Sequence, residues 1–200
     1  MTTIRPGAPI PPPPPPPAAP ASTGSGAAKL IVPTLIGALV ALTLGIYGHL
    51  HHPTGVVISV AGFSSAGAAK SWLATGAVIC AVIQVISALA IYGKLPGVTA
   101  PEWIGPVHKW SGRIAFLLAV PVAVQCLYAL GYQTYSTRVL IHSLLGCAFF
   151  GFFAIKMLVL PKQDAPGWLL PTLGAVVFTA LTGVWLSSAY WFFSTFGVKG

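Results

Sequence analysis

The sequence contains five apolar stretches, each long enough to cross a lipid bilayer as a helix. The hydrocarbon core of a bilayer is about 30 Å thick, so a helix needs roughly 20 apolar residues to span it. Inside lipid every backbone polar group must be bonded within the protein, and a helix achieves this within one segment. We therefore expect an all-α integral membrane bundle of five transmembrane helices within residues 29–196. The predicted spans are Leu30–Leu50, Trp72–Leu95, Val107–Tyr132, Val139–Leu160 and Trp168–Phe193.

The composition is typical of a membrane protein and excludes several other classes. Of the 200 residues 56% are hydrophobic and only 6% are charged, against about 25% charged in ordinary soluble domains. The net charge of +8 comes from basic residues scattered singly, so we expect no nucleic-acid surface. The three cysteines lie in apolar stretches without a Cys-x-x-Cys pair, so neither a disulfide framework nor a zinc site is expected. The partner that this composition predicts is the lipid bilayer.

Residues 1–28 precede the first span and are predicted to form a disordered, proline-rich cytoplasmic tail. The run Pro11–Pro17 has fixed φ angles and no backbone N–H donors, which favours a polyproline II rod. Such a rod is typical both of a segment that docks into a partner's aromatic groove and of a simple spacer, and both interpretations stay open.

The distribution of basic residues predicts that the N-terminus is cytoplasmic, since cytoplasmic loops carry an excess of Lys and Arg. In this orientation the basic residues inside are Arg5, Lys29, Lys94, Lys109, Arg113, Lys156 and Lys162, and those outside are Lys70, Arg138 and Lys199. Short connections after the third and fourth helices also predict that these helices pack as antiparallel neighbours. We expect a multi-pass protein of the bacterial plasma membrane.

Two His-x-x-x-Gly tetrads, His108–Gly112 and His142–Gly146, open two of the apolar stretches. Residues i and i+4 share a helix face, so each tetrad places an imidazole beside a bare patch of backbone. That patch leaves room for a flat ligand such as haem. Ionisable side chains inside a membrane are rare, which makes these positions the first candidates for function.

The predicted topology separates the two tetrads. His142 lies about one turn inside the outer end of the fourth helix, whereas His108 lies at the inner end of the third. At 1.5 Å per residue the two histidines are roughly 25–30 Å apart, too far to ligate one metal ion.

The sharpest hypothesis is a haem b near the outer surface. Its iron ligands would be His142 and His49, with His51 as the alternative to His49, because these histidines share one side of the membrane and neutral imidazole suits iron. Gln125, at similar depth on the third helix, is predicted to hold an imidazole tautomer by a hydrogen bond. Two other interpretations of His142 stay open. In the first, His142 forms a hydrogen bond between helices and Gly146 allows the helices to pack closely. In the second, His142 belongs to a proton relay or a transition-metal site.

His108 has no second histidine on the inner side of the membrane. One hypothesis pairs it with Met157, near the inner end of the fourth helix, as the ligands of a second haem. A simpler hypothesis makes His108, Trp110 and Arg113 an interfacial cluster that binds lipid phosphate or quinone.

The stretch from His108-Lys109-Trp110-Ser111-Gly112-Arg113 to Arg138-Val139-Leu140-Ile141-His142-Ser143-Leu144-Leu145-Gly146 resembles the helices of transmembrane b-type cytochromes and ferric-reductase-like domains. In those families, histidines near helix ends hold haem, so the resemblance implies haem contact for His142 and also for His108. The sequence departs from their usual two histidines at two depths on each ligand helix. The whole chain also resembles uncharacterised small actinobacterial multi-pass membrane proteins.

Two functions of different classes follow from these observations. The first is a small haem-b-type redox subunit that passes electrons to or from a quinone or a partner protein. The alternative is a non-catalytic accessory or assembly subunit of a larger membrane complex, with the proline-rich tail as its tether. Whether the chain is itself an enzyme stays open.

Overall fold

The computed structural model describes residues 28–198, and side chains from Leu30 onward. All regular structure in this range is helical. Its α-helices are α1 (Ala28–Leu50), α2 (Ala66–Ile91), α3 (Ile104–Gln125), α4 (Thr137–Val159), α5 (Leu169–Trp185) and α6 (Trp191–Phe196). A π-helical turn, Cys126–Leu130, extends α3, and a second, Leu186–Tyr190, joins α5 to α6. The predicted tail, residues 1–28, lies outside the described residues except for its last one.

Five helical segments in the described range are long and apolar enough to cross a membrane, which confirms the predicted all-α architecture with five spans. The segments are Leu30–Leu50, Ala66–Ile91, Ile104–Leu130, Thr137–Val159 and Leu169–Phe196. In the last of them, α5, the π-helical turn and α6 run on as one span.

The second helix begins six residues earlier than the sequence predicted, at Ala66 instead of Trp72. Ser65 caps it, since its extended backbone lets the side-chain oxygen accept a hydrogen bond from the Ala68 N–H at 3.1 Å. The alanines that follow favour a helix. The small and polar residues before Trp72, which looked like loop, therefore form the first turns of α2.

The five spans form a ring whose order differs from the chain order. The helix α1 packs along α4, α4 along α5, α5 along α2, and α2 along α3. The π-helical turn at the end of α3 contacts α1 and closes the ring. The predicted antiparallel packing is confirmed for the fourth and fifth helices, since α4 packs along α5. The third and fourth helices also run antiparallel, but they meet across the ring through phenylalanine side chains instead of packing along each other. The axis of this ring is where a ligand has room.

Aromatic side chains fill the ring on the side of His108. The Phe116 ring stacks on Phe153 with centroids 4.3 Å apart, and it meets Phe150 edge-on at 6.0 Å. Phe149 is buried and contacts Phe150 at 5.0 Å. Edge-to-face and stacked pairs of this kind add to the dispersion energy of a membrane core. These four phenylalanine rings form an aromatic floor, which closes the ring axis next to the half that contains His142.

The contact between α1 and α4 depends on two glycines. A Cβ added to Gly151 would lie 2.7 Å from the Gly37 carbonyl oxygen, so the two backbones touch with no room for a side chain. Membrane helices associate through such small residues, because burial of apolar side chains gains little in lipid.

Replacing Gly151 by alanine should therefore destabilise the bundle. The added methyl group would press on backbone atoms, which cannot move aside as a flexible side chain does, so we expect a loss of about 1–3 kcal/mol in the free energy of unfolding. Thermal unfolding in detergent, followed by circular dichroism, measures it. Gly174→Ala is the matched control, because a Cβ there meets nothing within 4 Å. Equal stability of the two variants would contradict the close packing of α1 on α4.

Candidate functional site

A cavity opens between the helix ends on the His142 side of the ring. Its wide chamber has a volume of about 520 Å³, within the usual range for ligand sites in proteins. The ends of α2, α3, α4 and α6 and both π-helical turns supply its wall. The residues that carry polar or aromatic groups there include Lys70, Ser71, Gln133, Tyr135, Arg138, His142, Ser143, Ser187, Ser188, Trp191 and Phe192.

A narrow chamber of about 100 Å³ lies deeper on the ring axis, and all five spans line it. The wide and narrow chambers share five wall residues, so they adjoin. These are Val122, Cys126, Gly131, His142 and Ser143. Most other side chains of the narrow chamber are apolar, and four of them are alanines, among them Ala74, Ala77 and Ala119. Phe149 and Phe150 form its floor. The cavity therefore combines a polar mouth with an apolar interior.

His142 stands at the junction of the two chambers, and the serine of the second π-helical turn orients it. Its Nδ1 lies 3.2 Å from the Ser187 Oγ. That hydroxyl donates its own hydrogen back to the Gly183 carbonyl at 2.7 Å, so it accepts from the imidazole. In the tautomer that this bond favours, the proton of a neutral His142 sits on Nδ1 and Nε2 carries the lone pair.

The two His-x-x-x-Gly tetrads have different surroundings. A Cβ added at Gly146 would meet nothing within 4 Å, and Gly146 lines the narrow chamber. A Cβ at Gly112 would lie 2.7 Å from the Gln84 Nε2, so the bare backbone there accommodates a side chain of α2. Gln84 in turn donates to the His108 carbonyl. Only the second tetrad leaves the open space that the sequence predicted for both.

His108 is held within the contact between α2 and α3. Its Nδ1 lies 2.9 Å from the Ser87 Oγ. Met157, its predicted partner, has an exposed side chain on α4. Trp110 is also exposed, and the Arg113 guanidinium lies 5.0 Å from its ring centroid. His108 and His142 lie at opposite ends of the ring, as the sequence predicted.

Two cations line the wide chamber, Lys70 and Arg138. The Arg138 Nη1 donates to the Ser187 carbonyl at 2.6 Å, and the guanidinium carbon lies 3.9 Å from the Trp191 ring centroid. The chain has two acidic residues, Glu102 and Asp164. Both are in loops at the other end of the ring, between α2 and α3 and between α4 and α5, so no acidic side chain within residues 28–198 lines the wide chamber.

The other histidines predicted as ligands do not line either chamber. His49 is exposed at the end of α1. His51 is stacked between Tyr47 and Tyr128, with ring centroids 5.0 and 5.5 Å away. Its Nε2 lies 3.1 Å from the Tyr128 carbonyl oxygen, so this nitrogen is engaged with the end of α3.

Gln125 holds the loop between α1 and α2 instead of an imidazole. Its buried amide accepts from the Ile58 N–H at 2.9 Å and donates to the Val56 carbonyl at 3.4 Å. The same loop bonds to the end of α3, where the Gly55 N–H donates to the Ala129 carbonyl at 3.0 Å. These bonds supply partners for carbonyls that the helix end leaves unpaired.

Ser187, Lys70 and Arg138 were not among the site residues predicted from the sequence. Lys70 and Arg138 gave a weak signal, as lone cations next to predicted helix ends on one side of the membrane. Ser187 gave none, because its role depends on how α5 is rotated against α4. Within residues 28–198, no three His, Cys, Asp or Glu side chains are grouped so that they would hold a metal ion by themselves.

The comparison with protein families matches residues 30–200 to a family of unknown function, DUF6529. The match covers the whole transmembrane part, and the chain therefore belongs to this family. No curated protein and no solved structure matches the chain.

Replacing Gln125 by leucine should release the loop from α3. Loss of the acceptor for the Ile58 N–H removes about 1.4 kcal/mol of hydrogen bonding, so we expect roughly tenfold faster amide exchange in the loop. Hydrogen exchange of the peptide covering residues 54–60, followed by mass spectrometry, measures it. Gln84→Leu, at the other end of the ring, is the control and should leave this exchange unchanged. Identical exchange in both variants would show that Gln125 does not anchor the loop.

Proposed function

We propose that this member of the DUF6529 family binds haem b in the cavity, with His142 as the protein ligand of the iron, and acts as a small membrane redox subunit. One observation carries the proposal: the imidazole of His142 is fixed through Nδ1 by Ser187 at the wall of a cavity, beside the open space at Gly146. A histidine in this state has its Nε2 lone pair free for iron.

The residues around the cavity fit a haem with one protein ligand. A porphyrin brings four nitrogen ligands, so a single histidine is enough to hold its iron, as in the haem proteins with one proximal histidine. The wide chamber, with a volume of about 520 Å³, is the part of the cavity that is large enough for the ring, and its wall includes apolar side chains such as Val122, Leu130 and Phe192. The second ligand expected from the sequence is not supported by the geometry, because neither His49 nor His51 reaches the cavity wall.

A bound haem would supply a carrier that takes up and releases one electron. The chain's part is to orient the ligand through Ser187 and to surround the ring with apolar side chains. The aromatic floor separates it from the His108 end. The apolar side chains and the hydrogen bond between Ser187 and His142 would be the chain's means of setting the reduction potential of a bound haem.

The proposed orientation determines on which side of the membrane the haem would exchange electrons. With the N-terminus in the cytoplasm of a bacterium, the cavity faces the outer side of the plasma membrane. The donor or acceptor would then be a quinone in the outer leaflet or a partner protein at the membrane surface. Trp191 and Phe192 line the mouth together with its polar groups. Aromatic side chains of this kind are enriched where proteins bind one another, which favours a partner protein at the mouth.

His142→Ala should abolish haem binding. Purified wild-type protein supplied with haem should show a Soret band and, after reduction, an α band, and the variant should lose both because it lacks the proposed iron ligand. Absorption spectra of the oxidised and reduced protein measure this. The matched control is His108→Ala, which removes the other tetrad's histidine and should leave both bands unchanged.

Two further variants sharpen this test. Gly146→Leu keeps His142 but places a large side chain in the open space one helical turn from it, so it should lower haem occupancy while the protein remains folded. His51→Ala should retain both bands, since its ring lies outside the cavity. A colourless wild-type protein that co-purifies with a membrane complex would overturn the haem proposal in favour of an accessory subunit.

A further inference from the structure

We propose that Lys70 and Arg138 form a carboxylate-binding site at the mouth of the cavity, and that it takes the two propionates of the porphyrin. This inference rests on the proposed function in taking the cavity as a porphyrin site, but it does not depend on iron ligation by His142. It adds the chemical class of the ligand, an amphipathic molecule with carboxylates at one edge and a flat apolar body.

The charge of the wide chamber is uncompensated. Lys70 and Arg138 are both partly buried in its wall, and the two acidic side chains of the sequence, Glu102 and Asp164, lie in loops at the other end of the ring. Cations withdrawn from water are stable when an anion or several hydrogen bonds replace their hydration. Within the described residues no acidic side chain does this, so an anionic ligand would supply what the chain itself lacks.

Arg138 is held in place but retains donors for a ligand. One of its amino groups donates to the Ser187 carbonyl, and its plane lies over Trp191. A guanidinium has five N–H groups in a rigid fork, so the remaining ones are free to bind a carboxylate. Holding the side chain beforehand reduces the entropy lost on binding.

The arrangement along the ring axis fits an amphipathic ligand. The two cations and His142 line the same wide chamber, and the rest of its wall includes apolar side chains such as Val122, Leu130 and Phe192. A porphyrin combines the matching groups, with two carboxylates at one edge and an apolar ring that contains the iron. Two cations match two propionates, and the single histidine matches the iron.

The test compares ligands with and without carboxylates on full-length protein in detergent. Haem and haem dimethyl ester are titrated into the wild type, Lys70→Gln and Arg138→Gln. We expect each substitution to weaken haem about tenfold, as removal of a charged hydrogen-bond partner does, and to leave the affinity for the ester unchanged. Arg138→Lys keeps the charge and should retain most of the affinity. The control is Arg113→Gln, which removes the cation stacked on Trp110 at the other end and should have no effect.

Iron-free protoporphyrin IX separates this inference from iron ligation. Its binding, followed by fluorescence, should weaken in Lys70→Gln and Arg138→Gln but not in His142→Ala. That result supports the carboxylate site even if haem shows no ligation by His142. Equal weakening of acid and ester, or unchanged affinity of both variants, would overturn the carboxylate site while leaving His142 ligation standing. Failure of wild-type protein to bind either porphyrin would overturn both proposals.

Discussion

The cavity of this protein depends on how side-chain volume is distributed along the axis of a five-helix ring. Five helices around one axis leave a central space that side chains must fill, since protein interiors are normally packed to high density. On the His108 side, the stacked Phe116 and Phe153 fill it. On the His142 side, alanines and Gly146 face the axis and leave it open. The floor and the cavity are thus two consequences of one packing arrangement.

Departures from regular helix geometry occur around this open half. Both π-helical turns, Cys126–Leu130 and Leu186–Tyr190, contribute to the cavity wall. Such turns are rare and occur frequently at functional sites. The second one carries Ser187, whose hydroxyl orients His142 and whose carbonyl holds Arg138. The π-helical turn Leu186–Tyr190 therefore positions both the predicted iron ligand, His142, and a cation at the mouth, Arg138.

The end of α3 shows how the protein stabilises an irregular helix end near the membrane surface. The loop between α1 and α2 donates hydrogen bonds to carbonyls at the end of α3, and the Gln125 amide bonds to the backbone of the same loop. His51 takes part through the Tyr128 carbonyl. Two residues expected to serve a cofactor are thus engaged in holding the backbone, because unpaired carbonyls at this depth are costly.

The sequence by itself determined the five spans and the separation of His108 from His142, because span length and apolar composition are local properties that the bilayer selects directly. It missed the start of α2, where capping by Ser65 extends the helix into residues of loop-like composition. It also could not distinguish the two tetrads. Gly112 and Gly146 are equivalent in local pattern, and only the packing of neighbouring helices decides that Gln84 fills the space at one while the other opens on the cavity. The same holds for Ser187 and the two cations, since contacts between helices depend on the order and rotation of the ring, which periodicity along one chain does not specify.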